Sequence, residues 1–364
     1  MKIGIYSPYV FSQVTGRAKV SRLLALTLEK VGMEVRLLNA KPSTSDNTLS
    51  GEDYNLLVDF TKRDFTPDVI ISFVPLEEEY TCKKVGILCD LFNSVPPSFN
   101  ADLWDEIWIP SKATYTMLTK SKKQLADKAH WVPFGIDTDV FKPGEKIISI
   151  SDELSTKFDF IYGFIGEYNP RKGIDVLLQA HYDMFDSNSS VALFIKGDMR
   201  GAKYLLKDTQ LIESNMQKKE FPIIVYSFNA FKDTELAAIY RAIDLFVTLT
   251  RGEWFGLSVL EAMSCGVPVV ATLTSALKDF KEHIFPVKTV TNSKLLDSLD
   301  GRYEGSLFSE PDIEHYKRLV LDIYNKEIDT SGKVQSAREF VVDNYSLSAF
   351  SKNIENRLET LLGA

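Results

Sequence analysis

Short apolar runs recur along this chain in two series, and the pattern leaves few folds open to it. In the first series they lie at residues 3–6, 35–38, 69–73, 85–88 and 107–109, and in the second at 160–165, 191–195, 223–226, 245–249 and 267–271. Each run is rich in β-branched and aromatic side chains and too short to be a helix, whereas several of the segments between them have helical periodicity. Strands that are apolar throughout are buried on both faces, which happens when helices cover both sides of a parallel sheet. The helix after the first run is the clearest, with Val20, Leu23, Leu24, Leu26, Leu28 and Val31 on one face and Gly32 as its C-cap. A length of 364 residues exceeds what one core usually supports. The predicted fold is therefore α/β, with two Rossmann-like doubly wound parallel-sheet domains at 1–145 and 158–345. The stretch 142–157 (KPGEKIISISDELSTK), polar and with a Pro-Gly pair, reads as the linker. A last helical pattern, 346–362, follows after both series are complete.

Composition removes several function classes. The formal net charge is -8, with 25% charged residues, which argues against general nucleic-acid binding, since that binding draws on phosphate neutralisation by Lys and Arg. Cys82, Cys89 and Cys265 form no CxxC pair and read as buried small side chains in a reducing compartment. The first residues, MKIGIYSPYV, read as a strand rather than a leader, and no run approaches the roughly 18 apolar residues of a spanning helix. The expectation is a cytoplasmic protein, free or peripheral at a membrane surface. Lys112, Lys120, Lys122, Lys123 and Lys128 give two readings of one segment, weak contact with anionic lipid or a solvated helix face, and its thin apolar side favours the second.

The densest chemistry lies at 251–268, RGEWFGLSVLEAMSCGVP, between two apolar runs. It reads as strand, loop, short helix and strand, with Glu253 in the loop and Glu261 on the helix. A loop feeding a helix start offers backbone N–H groups and the positive end of the dipole to a phosphate-bearing ligand. Segment 166–173, GEYNPRKG, sets Arg171 and Lys172 between a strand and a helix, at the end of an open sheet where ligands bind. Two cations at a helix start sit unfavourably without an anion, so they suit a diphosphate. Residues 6–17, YSPYVFSQVTGR, put Gly16 at the first helix start, where backbone can approach a phosphate or sugar, although a lone Gly there is more often a turn residue. Taken singly, such carboxylates and cations are usually solvated surface groups.

Read whole, these segments resemble the nucleotide-sugar signature of retaining glycosyltransferases of family 4, which have the GT-B fold. Residues 107–111 (IWIPS) and 131–143 (WVPFGIDTDVFKP) resemble the same family's last first-domain strand and the segment that follows it. The resemblance implies two domains facing each other across a cleft, with the final helix, 346–364, packed back on the first. It implies that Arg171 and Lys172 hold the donor diphosphate, that Glu261 binds ribose hydroxyls, and that Glu253 with the backbone of Phe255, Gly256 and Leu257 addresses donor sugar and phosphate. Glu253, Arg171 and Lys172 are thus the implied catalytic group, and Gly16 an implied donor contact. The implied reaction is metal-independent transfer of a hexosyl group from a nucleotide-diphosphate donor to a glycan, lipid or small-molecule hydroxyl with retention, with no cofactor. The resemblance also implies that the leaving phosphate assists acceptor deprotonation. The chain departs from the family pattern in four places. Glu167 stands where an Arg is usual, Thr15 replaces a glycine, 272–288 lacks the usual glycines, and the stretch VGILCDLF offers Cys89 and Asp90 where many members have His. Asp90 is a candidate for orienting the sugar or acceptor and equally for capping a turn. A sugar-nucleotide epimerase or phosphorylase on the same fold, and a catalytically degenerate nucleotide-sugar-binding protein, are the alternatives.

Overall fold

The computed structural model describes residues 1–363 except 12–14, 44–47, 90–99, 123–124, 146–156, 217, 219 and 294–306. The chain divides into two compact units, one of Met1–Asp137 with Asp343–Ala364 and the other of Thr138–Val342.

The first unit is built on β1 (Lys2–Tyr6), β2 (Glu34–Leu38), β3 (Val69–Ser72), β4 (Lys83–Ile87), β5 (Glu106–Ile109) and β6 (Ala129–Trp131), with helices α1 (Gly16–Lys30), α2 (Gly51–Lys62) and α3 (Lys112–Ser121) between them. The sheet order is β2-β1-β3-β4-β5-β6, every pair parallel. Strands β3 and β5 are buried along their whole length, as a sheet covered on both faces requires. Trp104, Ile107, Ile109, Leu118 and Ala129 form one of its apolar clusters.

The second unit contains β7 (Phe160–Ile165), α4 (Ile174–Met184), β8 (Val191–Lys196), α5 (Met199–Asn215), β9 (Ile223–Ser227), α6 (Asp233–Ala242), β10 (Leu245–Thr248), α7 (Leu257–Ser264), β11 (Val269–Thr272) and β12 (Phe285–Val287). An antiparallel pair, β13 (Thr289–Ser293) and β14 (Phe308–Pro311), precedes α8 (Ile313–Tyr324) and α9 (Ser331–Tyr345). Its parallel sheet runs β12-β11-β10-β7-β8-β9. Tyr162, Phe164, Leu193 and Val247 of the sheet pack with Leu177 and Leu178 of α4 and Tyr316 and Val320 of α8.

Each sheet therefore has a sixth strand beyond the five runs visible in sequence. Both extra strands, β6 and β12, have three residues and lie at a sheet edge. One carries His130 and the other Pro286, which an edge strand tolerates because one of its sides donates to nothing.

The division at Thr138 corrects the boundary expected near residue 145. Phe141 is fully buried and its ring lies 6.1 Å from that of Tyr240. Its carbonyl accepts from Ser264 and from Arg338, which also donates to the Thr138 carbonyl at 3.1 Å. These bonds tie 138–143 to the second unit, and most of the remaining linker stretch lies outside the described residues. The last helix, α10 (Leu347–Leu362), belongs to the first unit: it buries Phe350, Ile354 and Leu358, and Phe350 meets the Phe134 ring edge-on at 5.9 Å. Cys89 and Cys265 are buried, whereas Cys82 is only partly so, a correction to the reading of all three as buried. No helix among the described residues is long and apolar enough to cross a membrane.

Candidate active site

In the second unit the sheet order reverses at β7: the chain steps outward through β8 and β9, then returns to β10 on the other side. Loops leaving the carboxyl ends of β7 and β10 thus diverge around a topological switch point, where doubly wound sheets bind ligands. These are the loops that carry Arg171 and Lys172 on one side and Glu253 on the other.

After β7 the chain makes a 3-10 turn at Pro170–Lys172 and enters α4 through Gly173, whose φ of +67° is left-handed. A Cβ at Gly173 would lie on the Leu249 carbonyl, so the residue lets one loop press against the other. The two loops are laced together. The Arg251 N–H donates to the Arg171 carbonyl at 2.7 Å, the Thr250 hydroxyl to the same carbonyl at 3.2 Å, and Arg171 Nη1 to the Gly252 carbonyl at 2.5 Å. Against this frame, Lys172 Nζ lies 2.5 Å from Glu253 Oε2 and Arg171 Nη1 lies 3.6 Å from the same oxygen. Glu253 also accepts from the Trp254 N–H through Oε1 at 3.2 Å. Both Glu253 and Arg171 are 6% exposed.

Burial alone would raise the Glu253 carboxyl, but the attraction of Lys172 and Arg171 and the Lys172 and Trp254 hydrogen bonds outweigh it and hold the group below its usual range. Burial depresses Lys172, with Glu253 opposing that shift. The cluster is an ionised carboxylate buried against two cations, and an arriving polyanion would compete for those cations.

Beyond Glu253 the chain turns through Gly256, in the left-handed region at φ +95°, into α7, whose first turn has no side-chain cap. The N–H groups at Leu257 and Ser258 precede the first helical bonds, which run from Val259 and Leu260 to the Gly256 carbonyl. The Phe255 ring is buried at 1% exposure, so this residue contributes backbone and packing rather than an aromatic face. Glu261 lies one turn further on, 4% exposed, and its Oε2 accepts the Tyr240 hydroxyl proton at 2.8 Å. Its carboxylate is thus partly committed to Tyr240, and its charge reaches Lys196 at the end of β8.

Other sequence candidates lie on other elements. Gly16 is exposed at the start of α1, where the Thr15 side chain already caps the Ala18 N–H at 3.2 Å. Asp90 lies outside the described residues. Glu167 is turned outward, its side chain 51% exposed and 3.8 Å from Arg200, so it does not occupy the cation cluster. Lys128 donates to the Ala101 and Trp104 carbonyls and Lys112 stacks on Trp131, which breaks up the basic stretch, and Lys123 is among the residues not described. His181 is buried against Tyr162, His130 is near Glu106, His283 stacks on Phe340 and His315 caps the Lys288 N–H.

Sequence reasoning missed Arg251, Tyr240 and Ser275. Arg251 is buried between Asp175 and Glu310. Ser275 adopts φ +45° beside Glu253, whose carbonyl accepts the Ala276 N–H at 3.1 Å. An arginine directly after a buried strand was the available signal for Arg251. Its partners come from distant segments, and no spacing announces them.

Solved structures resemble the whole chain. Sucrose-phosphate synthase from Thermosynechococcus elongatus superposes with a TM-score of 0.71 over 100% of this chain and 99% of its own, at 15% identity. Anabaena HepE, crystallised with UDP and glucose, gives 0.68 over 99% and 100%, at 16% identity. These likenesses establish the two-domain GT-B fold. Among curated proteins, the D-inositol 3-phosphate glycosyltransferase of Segniliparus rotundus is 30% identical over 146 residues, 40% of this chain, which spans 32% of that protein's length. The family model described as glycosyl transferases group 1 matches residues 148–340, more than half of the chain and both of the laced loops, so the protein belongs to that family.

Proposed function

We propose that this protein is a glycosyltransferase that moves a hexosyl group from a nucleoside-diphosphate sugar to an acceptor hydroxyl, with retention of anomeric configuration and without a metal. The observation that carries the reading is the buried cluster of Lys172, Arg171 and Glu253 at the switch point of the second sheet. Two fixed cations can take the place of a bridging metal, because the charge that grows on the leaving diphosphate forms where they already stand. The uncapped start of α7 supports the same role with backbone N–H groups. Glu261, already oriented by Tyr240, is suited to accept from ribose hydroxyls, and Glu253 is suited to address the donor sugar.

In the reaction, the bond from the anomeric carbon to the phosphate oxygen breaks and its electron pair stays on that oxygen. The acceptor oxygen bonds to the anomeric carbon from the same face, and its proton passes to the leaving phosphate. Such a route needs no separate base, in keeping with histidines that are all engaged elsewhere.

The test is slow donor hydrolysis, with water as acceptor, followed by NMR of the anomeric proton for UDP-glucose, GDP-mannose and ADP-glucose in the presence of EDTA. One donor should be consumed, and the first-formed sugar should have the donor's configuration. Inverted product, or activity that appears only after a divalent cation is added, would overturn the reading.

A further inference from the structure

Arg251 lies two residues before Glu253, yet its guanidinium does not open toward a ligand. The side chain is 5% exposed. Nη1 and Nη2 donate to the two oxygens of Asp175 at 2.9 and 2.8 Å, and Nε is shared between the two oxygens of Glu310 at 2.8 and 2.9 Å. Nη1 also donates to the Pro170 carbonyl at 2.5 Å. Four of the five N–H groups that a guanidinium has are thereby used. Its main chain is equally committed, with the N–H on the Arg171 carbonyl and the carbonyl accepting from Ser309 at 2.9 Å.

Three segments far apart in sequence meet on this one residue: the turn and first helical residues after β7, the loop after β10, and β14. The two carbonyls it holds, those of Pro170 and Arg171, are the ones that immediately precede Arg171 and Lys172. A buried ion triad of this kind is seldom the most stabilising way to fill such a space, since apolar side chains of similar volume often do as well or better. What it supplies is direction, because a planar fork fixes its partners in angle as well as distance.

We propose that Arg251 is a positioning residue: by gripping Pro170, Asp175 and Glu310, it sets the turn so that the Arg171 and Lys172 cations face a donor diphosphate. This rests on the donor-site reading above. It assigns Arg251 no contact with substrate.

Calorimetry on the full chain tests it, with the diphosphates and monophosphates of uridine, guanosine and adenosine as probes. Four proteins are compared: wild type, Arg251→Met, Lys172→Met and the double variant. Wild type should favour the diphosphate of one nucleoside over its monophosphate. Arg251→Met should shrink that preference about tenfold, the usual scale of a lost charged hydrogen bond, with the monophosphate affinity almost unchanged. In the Lys172→Met background the same change should alter the preference by clearly less than in wild type, because one of the two cations it positions is gone and only Arg171 remains to be misplaced. Arg251→Lys should not restore the preference, since an ammonium cannot hold three partners in one plane. If Arg251→Met fails to fold, Asp175→Asn, at a half-exposed position, should shift the preference in the same direction.

Equal loss of diphosphate and monophosphate affinity, or an undiminished effect in the Lys172→Met background, overturns the proposal and leaves Arg251 a general stabiliser. A wild type with no preference for diphosphate overturns the donor-site reading itself, and the inference with it, before any variant is compared.

Discussion

At Glu253 a carboxylate stays ionised in a site that burial alone would make neutral, and the sign of that balance fixes how the residue responds to pH. Its folded pKa is depressed from the ordinary 4.5, because Lys172 and Arg171 outweigh desolvation. A depressed carboxylate stabilises the fold fully above its unfolded pKa and loses that contribution as pH falls through the folded value. Burial depresses Lys172 as well, with the Glu253 carboxylate opposing that shift. Glu253→Gln leaves two buried cations without their partner, a change that typically costs about 3–5 kcal/mol. The thermal midpoint of the variant should therefore lie well below that of wild type at pH 7, and the gap should narrow as pH drops below 4.5. A gap that stays constant from neutral to acid pH would mean that the cations do not hold the carboxylate ionised. Arg171, Lys172 and Glu253 were legible in sequence because each stands just past a strand, where chemistry collects in such sheets. Arg251 was not, since Asp175 and Glu310 become its neighbours only when α4 and β14 are in place.

The working element of the second unit is a strand, a left-handed turn and a helix, used twice: β7 into α4 and β10 into α7. The glycines at the two turns differ in what surrounds them. At Gly173 a Cβ would fall on the Leu249 main-chain carbonyl, whereas at Gly256 it would come within 2.8 Å of the flexible end of Leu277. Both would hold an L-residue at positive φ, which costs roughly 1–2 kcal/mol. Leu277 can swing aside, but the main chain at Leu249, adjoining the last residue of β10, is held by the sheet and cannot retreat. Gly173→Ala should thus cost clearly more than Gly256→Ala, by about 2 kcal/mol or more when a clash with main chain forces the loops apart. Urea unfolding at constant m-value measures both. Equal costs would show that the laced loops can part freely. Ser275 shows where pattern reading stopped short at this scale. The segment after β11 lacks the expected glycines, yet its backbone still turns left-handed, with a serine bearing φ +45° and a 3-10 helix, Ser275–Phe280, built from there. Composition reports which residues turn easily, and tertiary contacts here impose the turn on one that does not.

For the molecule as a whole, the doubly wound plan of each unit was readable because short runs that are apolar throughout are costly to expose and are buried on both faces in a covered sheet. What escaped was short or remote. The edge strands β6 and β12 are too brief to stand out as runs, and the ends of the units are fixed by side chains rather than by linker composition. The C-terminal helix illustrates the remote case, because its attachment adds a polar cluster in the first unit to the apolar face of Phe350, Ile354 and Leu358. Glu106 of β5, 5% exposed, takes hydrogen bonds from Arg357 of α10 and from Trp108 Nε1 at 3.0 Å, with His130 Nε2 at 3.7 Å. Burial pushes the Glu106 carboxyl up, but the Arg357 and Trp108 hydrogen bonds more than reverse it and hold the group below its usual range. Arg357→Met keeps much of the aliphatic stem and removes the charge, so a buried carboxylate loses its principal partner at a cost of about 3–5 kcal/mol. That cost should fall on one unit. Amide hydrogen exchange in the variant should quicken across β4, β5, β6 and α10, while β7, β8 and β10 of the second unit keep wild-type protection, because opening energies follow local cooperative blocks. Loss of protection spread evenly over both sheets would show that the two units unfold as one, and that Arg357 stabilises the chain globally rather than the helix it stands on.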